Sequence, residues 1–213
     1  MTRLLLVRHG ESEANKEKRF AGHSDFPLSD RGLLQAERTA DHVVSFYQVD
    51  AVYASDLKRA YATADAVAGR LSLSVTPHEG FREIFAGEWE GMLFDELPLR
   101  YPEDFAVWCQ DIGRARCTGG ESVADLQMRV LAALCELAEQ NPGKTLLIGT
   151  HATPIRAIQC HLEGRPLSEM HAVPWVSNAS LTEIEYENGV LRLVLVGEDR
   201  HLADLTTVLP KNV

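Results

Sequence analysis

Two apolar patterns alternate along this chain. Residues 4–7 (Leu-Leu-Leu-Val) and 145–149 are short, nearly unbroken apolar runs, as expected of strands buried on both faces of a parallel sheet. The first run ends at Arg8-His9-Gly10. Between them the period changes to that of helices. Leu33, Ala36, Ala40, Val43, Val44 and Tyr47 recur at helical spacing behind the capping candidates Ser29-Asp30. Residues 51–54 read as a second strand, and a helix over 56–68 follows, with Ser55 as its cap and Gly69 as its stop. Residues 73–76 read as a third strand.

The stretch 81–91 has no clean period and reads as loop. Residues 94–112 hold one or two short helices broken near Pro102. Val123, Leu126, Val130, Leu134 and Leu137 mark a long amphipathic helix, with Ser122 and Asp125 at capping-box spacing. Thr153-Pro154 opens another helix. Residues 180–186 and 190–196 flank Glu187-Asn188-Gly189, a strong hairpin signal. Strands alternating with helices predict an α/β three-layer sandwich: a mostly parallel central sheet, helices on both faces and an antiparallel C-terminal edge. No Pro/Gly/Ser linker divides the chain, so residues 1–213 are expected to form one domain, with a lid-like insertion at about 85–120.

Composition narrows the class of partner. With 45% hydrophobic and 24% charged residues the chain is globular in type, and its formal charge of −10 argues against an extended nucleic-acid or anionic-lipid surface. No apolar run approaches the roughly 20 residues that span a bilayer, and Met1-Thr2-Arg3 begins no signal peptide. Cys109, Cys117, Cys135 and Cys160 lack CxxC spacing, so they are expected as free thiols of a cytoplasmic protein, with no metal site.

In open α/β sheets ligands bind beyond the carboxyl ends of the strands, and there the polar residues share a theme. Arg8-His9 follow the first strand, Arg59 lies just after the second, and His151 directly follows the fourth. Asn15 and Glu83 lie in segments able to close over the same edge. Taken singly, each residue has a plainer role as a solvated charge, a satisfied histidine or a cap. Together they suit phosphoryl chemistry. Guanidinium forks bind phosphate oxygens, an imidazole can attack phosphorus, and a carboxylic acid can protonate the departing oxygen.

Read together, the local words resemble the phosphoglycerate-mutase-like branch of the histidine phosphatase superfamily. The resemblance rests on Leu6-Val7-Arg8-His9-Gly10-Glu11, on Asn15, Gly22 and Pro27-Leu28-Ser29, and on Ser55-Asp56-Leu57-Lys58-Arg59-Ala60. It continues through Arg82-Glu83-Ile84, Gly119-Gly120-Glu121-Ser122 and Gly149-Thr150-His151. It implies His9 as nucleophile and Glu83 as general acid and then base. It also implies Arg8, Asn15, Arg59, His151 and the backbone of Ala152 as phosphate ligands, with neither metal nor cofactor. Two positions depart from the pattern: Ala152-Thr153 replace a common Gly-Gly pair, and Ala21 precedes Gly22 where a polar residue is usual. These departures bear on substrate fit at Ala21 and Gly22.

Hydrolase and mutase share the first half-reaction. The stretch between Glu83 and His151 is short and poor in basic residues, and Phe94, Phe105, Trp108 and Ile112 suit a weakly charged leaving group, which favours a phosphomonoester hydrolase. The spacing is similar to that of α-ribazole phosphatase-like and broad-specificity members. A cofactor-dependent phosphoglycerate mutase and a non-catalytic phosphate-binding protein are the alternatives. Arg114 is a candidate contact for a second anionic group, or one of a solvated pair with Arg116. The expected partner is a small phosphorylated metabolite, without nucleic acid or membrane, with a homodimer open.

Overall fold

The computed structural model describes residues 1–207. Six strands form one sheet in the order β3-β2-β4-β1-β5-β6. The strands are β1 (Thr2–Arg8), β2 (Ala51–Ala54), β3 (Val75–Pro77), β4 (Thr145–Thr150), β5 (Leu181–Glu187) and β6 (Val190–Glu198). The pairs β1·β4, β2·β4 and β2·β3 are parallel, whereas β5 runs antiparallel to β1 and β6 to β5. The helices are α1 (Glu13–Lys16), α2 (Asp30–Phe46), α3 (Lys58–Leu71), α4 (Leu97–Arg100), α5 (Pro102–Gln110), α6 (Val123–Gln140) and α7 (Ala152–Leu162). No helix among the described residues is long and apolar enough to cross a membrane.

The unbroken apolar run in β1 follows from two different neighbours. Leu4 and Leu6 pack with Leu134, Ile155 and Ile158 from α6 and α7, while Leu5 and Val7 pack with Val43 and Val67 from α2 and α3. All four β1 side chains are fully buried. Each of these four residues therefore faces a core, and the period-2 signal of a half-exposed strand disappears. The middle of the chain builds a further apolar cluster from Phe20, Trp89, Trp108, Ile112 and Leu126.

Local capping holds where the cap is local. Ser29 accepts the N–H of Gly32, and Ser122 forms a reciprocal capping box with Asp125. The turn of the C-terminal hairpin has Asn188 at φ 51° and Gly189 at φ 83°, which is why Asn-Gly is the pair found there.

The expected start of the helix at Asp56 under a Ser55 cap is not observed. The helix α3 begins at Lys58, and the Lys58 N–H is capped at 2.7 Å by Asp25 Oδ1 from a distant loop. Ser55 instead turns its hydroxyl to His151 Nε2, 2.9 Å away. Nor does Gly69 stop the helix, which runs to Leu71 and ends on Ser72 in the left-handed region at φ 55°. On α2, Leu33 and Val44 lie on the exposed face, so the buried stripe is Ala36, Ala40 and Val43 with the small or polar Gly32, Gln35 and Thr39. β3 is shifted C-terminally to Val75–Pro77, and α7 opens one residue early, at Ala152.

Gly69 thus sits inside a helix, with open space where a Cβ would go. Gly69→Ala is expected to raise stability by about 0.5–1 kcal/mol, because the unfolded chain loses more freedom with glycine. Urea unfolding of the two proteins checks this, and a lower midpoint for the variant would contradict it.

Candidate active site

Parallel pairing of β1 with β4 places Arg8 beside Thr150. The residues that follow, His9 and His151, therefore leave the sheet side by side. The His9 N–H donates to Thr150 O at 2.9 Å, and the two imidazoles meet edge to face with centroids 5.1 Å apart. Both are buried. His9 lines a cavity of about 580 Å³ together with Arg8, Asn15, Arg59, Glu83 and Ala152.

The hydrogen bonds fix how each group is presented. His9 Nδ1 is 2.7 Å from Gly10 O. A carbonyl only accepts, so Nδ1 carries the proton and Nε2 keeps its lone pair. Burial, reinforced by the Arg59 and Arg8 charges, pushes the His9 pKa well below 6.5 and keeps that lone pair available. His151 is shifted the same way, by burial and then by Arg59 and His9. Ser55 Oγ accepts the Leu57 N–H at 3.3 Å, so its own hydrogen can be donated to His151 Nε2. The His151 proton then sits on Nδ1.

Arg59 is fully buried and spends its two terminal nitrogens on the carbonyls of Ser24 (2.9 Å) and Gly22 (2.7 Å). Arg8 donates to Val176 O, and burial lowers its pKa to about 10 against the opposing pull of Glu83. Beside His9, the buried donors Arg8 Nε, Arg59 Nε and His151 Nδ1 have no hydrogen-bond partner among the described residues. Buried donors are rarely left unmade, and partnerless donors with positive charge beside one imidazole suit a multiply charged oxyanion. The N-terminus of α7 at Ala152 adds oriented amides on the same side.

Glu83 is held from both ends. Its carboxylate accepts the Ile84 N–H at 2.8 Å and the Thr153 N–H at 3.4 Å, and its carbonyl receives Arg129 Nη2 at 3.2 Å. His23 Nε2 also sits 2.9 Å from that carbonyl, which makes His23 a support of the loop rather than a reacting group. Arg129 further binds Gly80 O, Arg82 O and the Glu121 carboxylate, clamping the whole Glu83 loop to α6.

Of the residues expected from sequence, Arg8, His9, Asn15, Arg59, Glu83, Ala152, Ala21 and Gly22 all line the one cavity, and His151 stands directly behind His9. Gly22 is there for its backbone: it has φ +49°, its carbonyl receives Arg59, and a Cβ would fall 2.4 Å from Glu90 Oε1. The expectation of a substrate contact at Arg114 does not hold. Arg114 is exposed and does not line the cavity, while Arg116 is engaged with Gly120 O and Asp125, so the pair belongs to the surface. Sequence reading missed Asn178, whose amide donates to His9 O at 3.1 Å and Asn15 Oδ1 at 3.3 Å. It also missed Trp175, Lys18, Arg19 and Thr207 in the wall, which carry no motif of their own. Gln35 receives the Glu11 N–H and ties Leu205 and Thr207 to the site. Among the described residues no cluster of three His, Cys, Asp or Glu side chains is placed to hold a metal ion.

The depressed imidazoles make stability pH-dependent. In the unfolded chain they titrate near 6.5, so below that pH the unfolded state takes up protons that the folded, ligand-free state refuses. Stability is fully present above about pH 6.5 and falls on acidification, by up to about 1.4 kcal/mol per pH unit for each group. Urea unfolding at about pH 7.5 and 5.5 checks the sign. His151→Asn is expected to lose less than wild type between the two, and an equal loss would count against a neutral His151.

The profile of the histidine phosphatase superfamily (branch 1) matches residues 4–199. Phosphoserine phosphatase 1 of Hydrogenobacter thermophilus is 38% identical over 196 residues, covering 91% of this chain and 92% of its own. The adenosylcobalamin/alpha-ribazole phosphatase of Escherichia coli is 34% identical over 170 residues, 79% of this chain and 82% of its own. Among solved structures, Bacillus stearothermophilus YhfR superposes with a TM-score of 0.90 at 31% identity, over 95% of this chain and 100% of that one.

Proposed function

Because the chain belongs to the histidine phosphatase superfamily (branch 1) and is a phosphatase of small phosphorylated metabolites, we propose that His9 is its phosphoryl acceptor and Glu83 its acid-base group. The observation that carries this assignment is the set of partnerless buried donors, Arg8 Nε, Arg59 Nε and His151 Nδ1, around a neutral imidazole whose Nδ1 is tied to Gly10 O. Two guanidinium charges at this spot are costly without an anion, and a phosphate dianion offsets them.

The phosphoryl group rests between Arg8, Arg59 and His151, with Asn15 and the Ala152 end of α7 completing the cradle. His9 Nε2 attacks phosphorus in line, the P–O ester bond breaks toward the leaving oxygen, and Glu83 delivers the proton that oxygen needs. The phosphoimidazolium is stabilised through Nδ1–H by Gly10 O. Water then attacks phosphorus, Glu83 takes its proton, and the N–P electron pair returns to His9. Catalysis here is mostly placement and fixed positive charge. The described residues 1–207 act as one domain in this reading, residues 208–213 lying outside the described residues, and the segment of about 85–120 is the cover of the pocket, since Phe94 and Trp108 reach the cavity from it.

Hydrolysis of p-nitrophenyl phosphate in the presence of EDTA tests the reaction class, with phosphoglycerate interconversion as the competing readout. Turnover of the ester without interconversion is expected. Interconversion stimulated by a bisphosphorylated cofactor would make the chain a mutase instead.

A further inference from the structure

Besides the proposed reacting groups, the same cavity is lined by rings. Phe20 stands 5.6 Å from Phe94 and 5.0 Å from Trp108, centroid to centroid, so the three form a continuous wall, which Trp89 backs from 5.4 Å. Trp175 supplies a further lining ring from the segment after α7. The Arg156 guanidinium lies 4.3 Å from the centroid of Trp175. Arg156 is buried, and it donates to Val173 O at 2.7 Å and His171 O at 3.3 Å, which ties down the residues leading into Trp175. No step of the hydrolysis needs Arg156. Trp108 is buried and its Nε1–H has no partner among the described residues. Glu83 is the one carboxylate among the described lining residues, and it belongs to the proposed reacting groups. The other lining charges, apart from Arg8 and Arg59, are Lys18 and Arg19, of which Arg19 is paired with Glu17 at 2.6 Å.

We propose that this wall is a leaving-group subsite for a flat aromatic or heteroaromatic moiety, with Trp175 as its stacking platform and Arg156 as the residue that positions the platform. The inference rests on the phosphatase reading of the same cavity. Aromatic faces prefer offset or edge contacts with other rings, and a ring already held by a cation on one side binds without losing further freedom. The partnerless Trp108 N–H offers a donor to an acceptor atom on the ligand. A leaving group bearing an ammonium finds no described lining carboxylate besides Glu83, and it meets the Lys18 charge, so an amino-alcohol ester is a poor fit.

The test compares 2-phenylethyl phosphate with ethyl phosphate, alkyl esters of the same class that differ by the ring, and with O-phosphoserine. Wild type is expected to favour the phenylethyl ester over both by about ten- to hundredfold in kcat/KM. In Trp175→Ala the ratio is expected to fall to within about threefold, whereas Trp175→Phe retains most of it. Arg156→Met is expected to lower the ratio through KM more than through kcat, as a positioning role requires. A wild-type ratio near unity, or a high ratio that survives Trp175→Ala, overturns the subsite. If no ester is hydrolysed, the phosphatase reading fails separately. Calorimetric binding of 2-phenylethylphosphonate against ethylphosphonate then decides the subsite alone: tighter binding of the first supports it, and equal binding overturns it.

Discussion

His9→Ala is expected to lose turnover of every phosphomonoester, by on the order of 10⁴-fold or more in kcat/KM, while still binding phosphate. The two effects separate because the imidazole and the cradle are different groups. The proposed cradle is Arg8, Arg59 and His151, none of which hydrogen-bonds the His9 side chain, whose polar contact is to Gly10 O. Removing a buried neutral ring leaves a space but no orphaned partner except a carbonyl, so the fold is expected to survive. Inorganic phosphate should bind the variant with Kd within roughly tenfold of wild type. Steady-state kinetics on two unrelated esters, with calorimetry for phosphate, checks both halves. Turnover within tenfold of wild type would remove His9 from the chemistry, and loss of phosphate binding would mean that the ring itself holds the anion.

Glu83→Gln is expected to divide substrates by leaving group. An alkoxide must be protonated as it departs, so kcat for an alkyl ester should fall by about 10²–10⁴-fold. Nitrophenolate leaves as an anion, and phosphorylation of His9 by p-nitrophenyl phosphate should be much less affected. Glu83 also serves the second half-reaction, in which water must lose a proton. The variant should therefore release one equivalent of nitrophenol in a burst and then slow down, as phosphoenzyme accumulates. The substitution is conservative for the fold, because a glutamine oxygen at the Oε1 position still accepts the Ile84 N–H, and only the longer 3.4 Å contact from the Thr153 N–H to Oε2 is given up. Stopped-flow measurement of the burst is the check, and an equal loss on both esters with no burst would contradict an acid-base role.

What the sequence reveals of this fold depends on whether the controlling interaction is local. β1 is legible because Leu4 and Leu6 face one core while Leu5 and Val7 face another, which forces an unbroken apolar run. The starts of α2 and α6 are legible because Ser29 and Ser122 cap amides three residues away. The start of α3 is not, since its cap comes from Asp25 and the apparent cap, Ser55, is diverted to His151. The site divides along the same line. Arg8, His9 and His151 stand where adjacent parallel strands end, so topology alone brings them together. Asn178, Arg129 and Gln35 support that site from a loop and two helices, through contacts to carbonyls and amides far away in sequence, and a lone polar residue on a helix gives no sign of such a contact. Arg114 shows the converse error. A basic residue in a covering segment is attractive as an anion contact, yet its side chain is exposed outside the cavity.

The net charge of −10 also takes on a narrower meaning. An extended polyanion needs a basic face, whereas a single phosphate needs two buried guanidiniums and two neutral imidazoles, which an acidic surface can surround. Burial of Arg8 and Arg59 without a carboxylate hydrogen-bonded to either shows where the chain has concentrated positive charge.

The claim on which the rest depends is that phosphate passes through His9, and trapping it there is the most direct measurement. Wild type quenched in alkali during turnover of a phosphomonoester should carry phosphate on the peptide containing His9, stable to base, labile to acid, and discharged when substrate is exhausted. Turnover without any bound phosphate, or phosphate held on another residue, would contradict the account.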